Sequence, residues 1–153
     1  MPMPAVIEKT NAPDTVGALE WVMLPELGVR RIRARIDTGA ASSALHVEDI
    51  HRFRRQGRPF VRFQVVIGTS RNWRRVQCEA PLIDTRWVRN TSGKRQSRPV
   101  IRTALAIGGC TRPIEITLSN RERMRYRMLL GRSGIPPGWL VNPARVYLQG
   151  KPQ

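Results

Sequence analysis

The chain has 153 residues, the size of one hydrophobic core with tails, and a core of that size needs neither disulfides nor a structural metal to hold together. Its 27 Lys and Arg against 11 Asp and Glu give a formal charge of +16, which excludes cationic partners and favours polyanions: nucleic acid, an anionic membrane surface or an acidic protein. Lysine occurs only at Lys9, Lys94 and Lys151; the rest is arginine, whose planar fork suits carboxylate or phosphate, although a solvated basic surface explains the same surplus equally well.

Cys78 and Cys110 stand far apart, with neither a Cys-x-x-Cys spacing nor paired histidines, so neither a disulfide framework nor a zinc knuckle is indicated. The N-terminus lacks the basic start and apolar stretch of a signal peptide, and nowhere do the ~20 apolar residues of a membrane span run together. The expected compartment is the cytoplasm, with no membrane partner.

Residues 1–14 carry three prolines and little periodic pattern, and read as a flexible arm; 15–150 read as a single domain and 151–153 as a short tail. Val16 to Leu24 and Val29 to Ile36 flank Pro25-Glu26-Leu27-Gly28, which predicts a hairpin. In its second strand Arg31, Arg33 and Arg35 alternate with Ile32, Ala34 and Ile36, so the period of two places arginines on one face and apolar groups on the other. Strand-like runs follow at Pro59 to Gly68, Arg74 to Ile83, Trp87 to Asn90, Arg98 to Ile107, Ile114 to Leu118 and Arg125 to Leu130. They are short and punctuated by Gly, Pro, Asn and Ser, which predicts an all-β sandwich or barrel. Short helices are expected only around Val47 to Ile50 and where Asn120 precedes Arg121 to Met124. Ile36-Asp37-Thr38-Gly39 has a faint echo in Leu129-Leu130-Gly131-Arg132.

Asp37-Thr38-Gly39 follows an apolar strand end and precedes the small residues Ala40 to Ala44. A hydrolytic carboxylate must sit on a tight loop, a hydroxyl beside it can bond to a neighbouring loop, and glycine lets backbone approach without a Cβ clash. An ordinary turn uses the same three residue types. The later pattern adds to the tripeptide: a glycine-bearing segment between strands from Arg89 to Arg98, then Met128-Leu129-Leu130-Gly131-Arg132.

That order resembles the retropepsin-like aspartic proteases, and more closely their small bacterial branch, often labelled ATP-dependent zinc proteases and encoded near ATP-grasp ligases that add glutamates to proteins. The resemblance runs from about Gly17 to Leu148. It includes Ser43-Ala44-Leu45-His46, Arg98 to Thr103, Arg123 to Tyr126 and Val141 to Arg145. Ala41 stands where that branch usually has a basic residue, and Asn142 where it usually has aspartate.

The resemblance implies a retropepsin-like acid-protease β-barrel or sandwich with a flap hairpin near Asn90 to Arg98. It implies Asp37 as the catalytic carboxylate with Thr38 and Gly39 holding its loop. Ala40, Arg95 and Arg98 are expected to contact substrate, and Leu130, Gly131 and Arg132 to support the loop from beneath. Aspartic protease chemistry needs two carboxylates sharing one proton, and this chain offers one Asp-Thr-Gly, so a homodimer with both Asp37 side chains on the two-fold axis is expected. A peptide or protein substrate is implied, and a rim of Arg31, Arg33, Arg35, Arg89 and Arg95 would favour acidic or glutamylated chains.

No cofactor is expected. His46, His51 and the two cysteines make no familiar zinc set, and no Gly-x-x-x-x-Gly-Lys-Ser/Thr loop exists for ATP phosphates. His46 reads as a hydrogen-bonded residue beside the loop. Two rival readings stand beside the peptidase: a basic β-barrel binding nucleic acid or ribosome, with Trp73, Trp87 and Trp139 for stacking, and a pseudo-protease binding module.

Overall fold

Apolar residues recur at every second position through most of the chain, and the backbone follows that period as strands. The computed structural model describes residues 14–69, 71–89, 91–121 and 125–151. Among the described residues ten strands succeed one another: β1 (Thr15–Val16), β2 (Leu19–Leu24), β3 (Val29–Ile36), β4 (Ser43–Arg55), β5 (Arg58–Thr69), β6 (Asn72–Arg89), β7 (Arg95–Ile107), β8 (Cys110–Ser119), β9 (Met128–Leu130) and β10 (Leu140–Val141). Residues 1–13 of the expected arm, residues 122–124 of the short helix expected after Asn120, and the last two residues of the tail lie outside the described residues.

Six strands close a ring. β2 pairs with β3, β3 runs parallel to β9, β9 pairs with β4, β4 runs parallel to β8, β8 pairs with β7, and β7 returns to β2 through Met23 opposite Ala106. β5 and β6 bridge β4 to β7 as a second layer. Its inward residues Val61, Phe63, Val65, Ile67, Cys78 and Ala80 join Leu24, Leu45, Ile101, Leu105, Ile116, Leu118 and Leu130 in one buried core. Closure leaves no open edge in the ring, which matters for a chain this rich in strand. No helix among the described residues is long and apolar enough to cross a membrane.

The short helix expected at Val47 to Ile50 is instead part of β4. Glu48 pairs with Gln64 and His51 with Arg62, so Asp49 and Ile50 oppose the single residue Phe63, and Asp49 takes φ 60°. That is a β-bulge, and pairing with β5 overrides the local acidic sequence. A second bulge between Leu82 and Asp84 keeps β6 continuous where two separate strands were expected, Arg74 to Ile83 and Trp87 to Asn90. The helical content of the described residues is two single 3-10 turns, Pro25–Leu27 and Arg132–Gly134. The first makes the turn of the expected hairpin, ending on Gly28 at φ 73°, a conformation that glycine reaches without a Cβ penalty.

β1 and β10 form a separate parallel pair that ties the end of the chain to its beginning. Gly17 N–H, Leu148 N–H and Gln149 N–H all donate to the fully buried Glu20 carboxylate, at 2.7, 2.9 and 3.0 Å. Nearby, the exposed Asn142 accepts a hydrogen bond from Ala144 N–H at its side-chain oxygen, 3.1 Å, while its own N–H donates to Val16 O. An aspartate here would offer the same acceptor, so Asn142 preserves the turn that follows β10.

Candidate active site

The connection from β3 to β4 must step over the end of β9, which lies between them. Ile36 sits opposite Leu130 in the parallel pair, and Asp37 N–H continues the ladder by donating to Leu130 O at 2.9 Å. The chain then turns: Ala40 N–H donates to Asp37 O at 3.2 Å, and Gly39 N–H donates to Asp37 Oδ1 at 2.9 Å. A Cβ at Gly39 would stand 3.2 Å from that same oxygen, a tight contact that the Asp37 side chain would have to shift by a few tenths of an ångström to relieve. Asp37 is half-buried, while Thr38 and Gly39 are exposed.

The segment after β9 supports this loop from beneath. Arg132 Nη1 donates to Thr38 O and Arg132 N–H to Ala40 O, both at 2.8 Å, and Ser133 N–H donates to Ala41 O at 3.1 Å. Gly131 N–H donates to the buried Ser43 hydroxyl at 3.1 Å. A Cβ on Gly131 would run into the Ser42 and Ala40 carbonyl oxygens, so only glycine permits this approach. The echo between the two sequence segments is therefore two loops packed side by side.

Of the sequence-predicted residues, Asp37, Thr38, Gly39, Ala40, Leu130, Gly131 and Arg132 meet in one hydrogen-bonded unit. Ala41 joins it through its carbonyl, which accepts from Ser133 N–H, and the residue is exposed. Arg95 lies elsewhere, on the β6–β7 hairpin, with its guanidinium 4.9 Å above the ring of Trp87, itself 58% exposed. That hairpin is the expected flap; Arg89 pairs with Arg95, and Arg89 Nη1 donates to Gly93 O at 3.3 Å.

Arg121 was not legible as a site residue. Burial, foremost, and the nearby Arg98 guanidinium lower its pKa, while the Asp37 carboxylate acts in the opposite direction. Arg121 is therefore an electrostatic neighbour of both Arg98 and Asp37. Arg98 Nε and Arg121 Nε are both buried without a hydrogen-bond partner, which marks two donors awaiting an acceptor. Arg121 is set in place by its backbone, whose N–H donates to His46 Nδ1 at 2.8 Å. Since that nitrogen accepts, the proton of a neutral His46 sits on Nε2, 3.2 Å from Glu48 Oε2. Burial raises the Glu48 pKa, but hydrogen bonds from Arg75 and His46 outweigh it and hold the carboxyl below its ordinary value. His46 is fully buried, and among the described residues no group of three or more His, Cys, Asp or Glu converges to hold a metal.

Comparison with known proteins bears on this geometry. A family profile described as RimB-like, "Retropepsin-like aspartic endopeptidase RimB", matches residues 15–152. A "Probable alpha-L-glutamate ligase" of Desulfotalea psychrophila is 41% identical over 87% of this chain but only 29% of its own length. Proteins of the same name from Shewanella pealeana and Parasynechococcus marenigrum are 37% and 44% identical over 89% and 84% of the chain, which covers 30% and 28% of them. The chain thus spans less than a third of these curated relatives. Among solved structures, the Legionella pneumophila protein Lpg0085, of unknown function (DUF785), superposes with a TM-score of 0.71 at 28% identity, covering 91% of this chain and 98% of that one. With its Asp37 loop and supporting Gly131-Arg132 segment, the chain belongs to the RimB-like family of retropepsin-like aspartic endopeptidases.

Proposed function

We propose that the chain is one subunit of an aspartic peptidase whose active site forms when the Asp37 loops of two copies meet across a two-fold axis. What carries the reading is the fixed Asp37 loop: the carboxylate is oriented by Gly39 N–H at Oδ1, while Oδ2 has no hydrogen-bond partner among the described residues. Two such groups sharing one proton supply the chemistry. One deprotonates the attacking water; the other, protonated, polarises the scissile carbonyl, and the departing amine takes up a proton as the tetrahedral intermediate collapses. The proton then belongs to the pair and not to either residue. Closure of the β6–β7 hairpin over the bound chain would exclude bulk water.

The substrate we propose is a peptide rich in glutamate. Arg121 feels the Asp37 charge, Arg98 lies near Arg121, each has a buried Nε without a partner, and a charge-assisted bond to a carboxylate contributes about 1.5–3 kcal/mol. The relatives named as glutamate ligases agree with that class of substrate. Salt has two opposing effects here. It relieves repulsion between subunits that each carry +16, and it screens an acidic substrate from the arginines. The test is therefore made at protein concentrations high enough for pairing at every salt level. A glutamate-rich peptide is expected to be cleaved faster than a neutral peptide of equal length, with the advantage shrinking as salt rises; equal rates at all salt concentrations would contradict the assignment.

A further inference from the structure

The arginines that alternate with core residues along β3 open onto a groove of about 760 Å³ formed with the end of β5, the start of β6 and residues 125–127. Among the described residues six arginines line it, Arg30, Arg31, Arg33, Arg74, Arg125 and Arg127, and no aspartate or glutamate does. None of the six is in an ion pair among the described residues, whereas Arg55, Arg62, Arg75 and Arg102 elsewhere each hold a glutamate. Arg127 Nη1 is buried without a hydrogen-bond partner. The buried, orphaned Arg127 donor is costly unless an acceptor completes it, and the five exposed guanidiniums around it give the groove a positive field that selects an anion.

The aromatic residues of the groove serve the arginines. Arg31 and Arg33 lie over Trp21 at 5.6 and 5.8 Å, Arg33 and Arg125 over Tyr126 at 5.7 and 5.5 Å, and Arg127 over Trp73 at 4.2 Å. Trp21 is also stacked on Tyr147, 5.6 Å between centroids. Rings engaged in this way are poor platforms for stacking nucleobases, but they restrain guanidinium planes whose N–H edges remain to bond. Spacing adds to the case for a peptide. Arg31, Arg33 and Arg35 are exposed at alternate positions of β3, a repeat of about 6.6–6.8 Å, and an extended acidic peptide presents its same-side carboxylates on the same repeat. Arg33 lies four residues before Asp37, about 13 Å along the strand, and Arg35 stands between them.

We propose that this groove is a second binding site, for an acidic peptide segment whose carboxylates are taken by Arg31, Arg33 and Arg127, and that Arg35 continues the track toward Asp37. Only the last step rests on the peptidase reading; binding in the groove does not. The test uses the full-length Asp37→Asn protein, which holds substrate without turnover, and a fluorescent hexaglutamate peptide followed by polarisation. Arg31→Gln/Arg33→Gln is expected to weaken binding about tenfold, whereas Arg54→Gln/Arg58→Gln, with the same charge change on the β4–β5 turn, alters it by less than about twofold.

Equal losses in the two double variants would overturn the groove and leave only a diffuse basic field. Groove-dependent binding of oligothymidylate tighter than that of hexaglutamate would overturn the peptide assignment in favour of nucleic acid. Cleavage of hexaglutamate is followed in parallel on the protein that retains Asp37. Absent cleavage with groove-dependent binding intact supports the groove while sinking the peptidase reading, and persistent cleavage with equal binding losses does the reverse.

Discussion

Asp37→Asn is expected to lower peptide cleavage by about 10³-fold or more while leaving the fold in place. Asparagine has nearly the same shape and keeps an oxygen to accept the Gly39 N–H now donated to Oδ1 at 2.9 Å, so the loop retains its geometry. The ladder bond from Asp37 N–H to Leu130 O and the Arg132 bonds to Thr38 O and Ala40 O do not involve the side chain at all. What disappears is chemical: an amide neither takes a proton from water nor holds the proton that a carboxylate pair shares. Asp37→Ala removes the same chemistry and the Gly39 contact with it. Cleavage assays on purified protein, with thermal melts as the control for folding, decide the matter. Undiminished cleavage by either variant would sink the assignment.

The second large effect concerns stability. Glu20→Ala is expected to destabilise the protein by about 3–5 kcal/mol, because three backbone N–H groups lose their acceptor, each worth about 1–3 kcal/mol when left unsatisfied in the interior. The carboxylate is 0% exposed and gathers Gly17 from the first turn with Leu148 and Gln149 from the last. Around it, Ala18 N–H donates to Arg145 O and Tyr147 N–H to Leu19 O, so the last segment of the domain is laced to the start of β2 by backbone bonds gathered about this side chain. For a chain of this size the loss corresponds to a fall in melting temperature of roughly 10 °C. Glu20→Gln keeps one acceptor oxygen and is expected to fall between the two. Urea denaturation measures all three proteins, and a change below about 1 kcal/mol for Glu20→Ala would show that the segment is held by other means.

Local pattern made much of the architecture legible. The alternation along β3 puts Ile32, Ala34 and Ile36 inside and Arg31, Arg33 and Arg35 outside, as the period of two requires. The Asp37 turn was readable for the same reason, since the bonds that Gly39 N–H and Ala40 N–H donate to Asp37 are local, although its support comes from Leu130 to Ser133. Glu20 carried a signal that went unread: it shares a face with Val22 and Leu24, and the burial of β2 alternates accordingly. An acidic residue on an inward face is satisfied only by donors from far away in the chain, here Leu148 and Gln149, and no local pattern announces them.

The bulges were hidden for a related reason. Asp49 and the Leu82–Asp84 irregularity are set by the register of neighbouring strands, which local propensity does not contain. Arg121 escaped notice because its place beside Asp37 and Arg98 depends on the parallel pairing of β8 with β4 and on the His46 ring that receives its N–H. The five arginines grouped from sequence as one rim divide in space. Arg31 and Arg33 face the groove, while Arg89 and Arg95 pair at the β6–β7 hairpin.

The shared active site is tested most directly by mixing. Equal amounts of unaltered and Asp37→Asn protein, exchanged to equilibrium under conditions where subunits are paired, assort at random among three kinds of dimer. If both Asp37 carboxylates are needed, only dimers of two unaltered subunits cleave, and the activity of the mixture is about a quarter of that of unaltered protein at the same total concentration. A value of about one half, independent of total protein concentration, would mean that each chain works alone and would contradict the dyad.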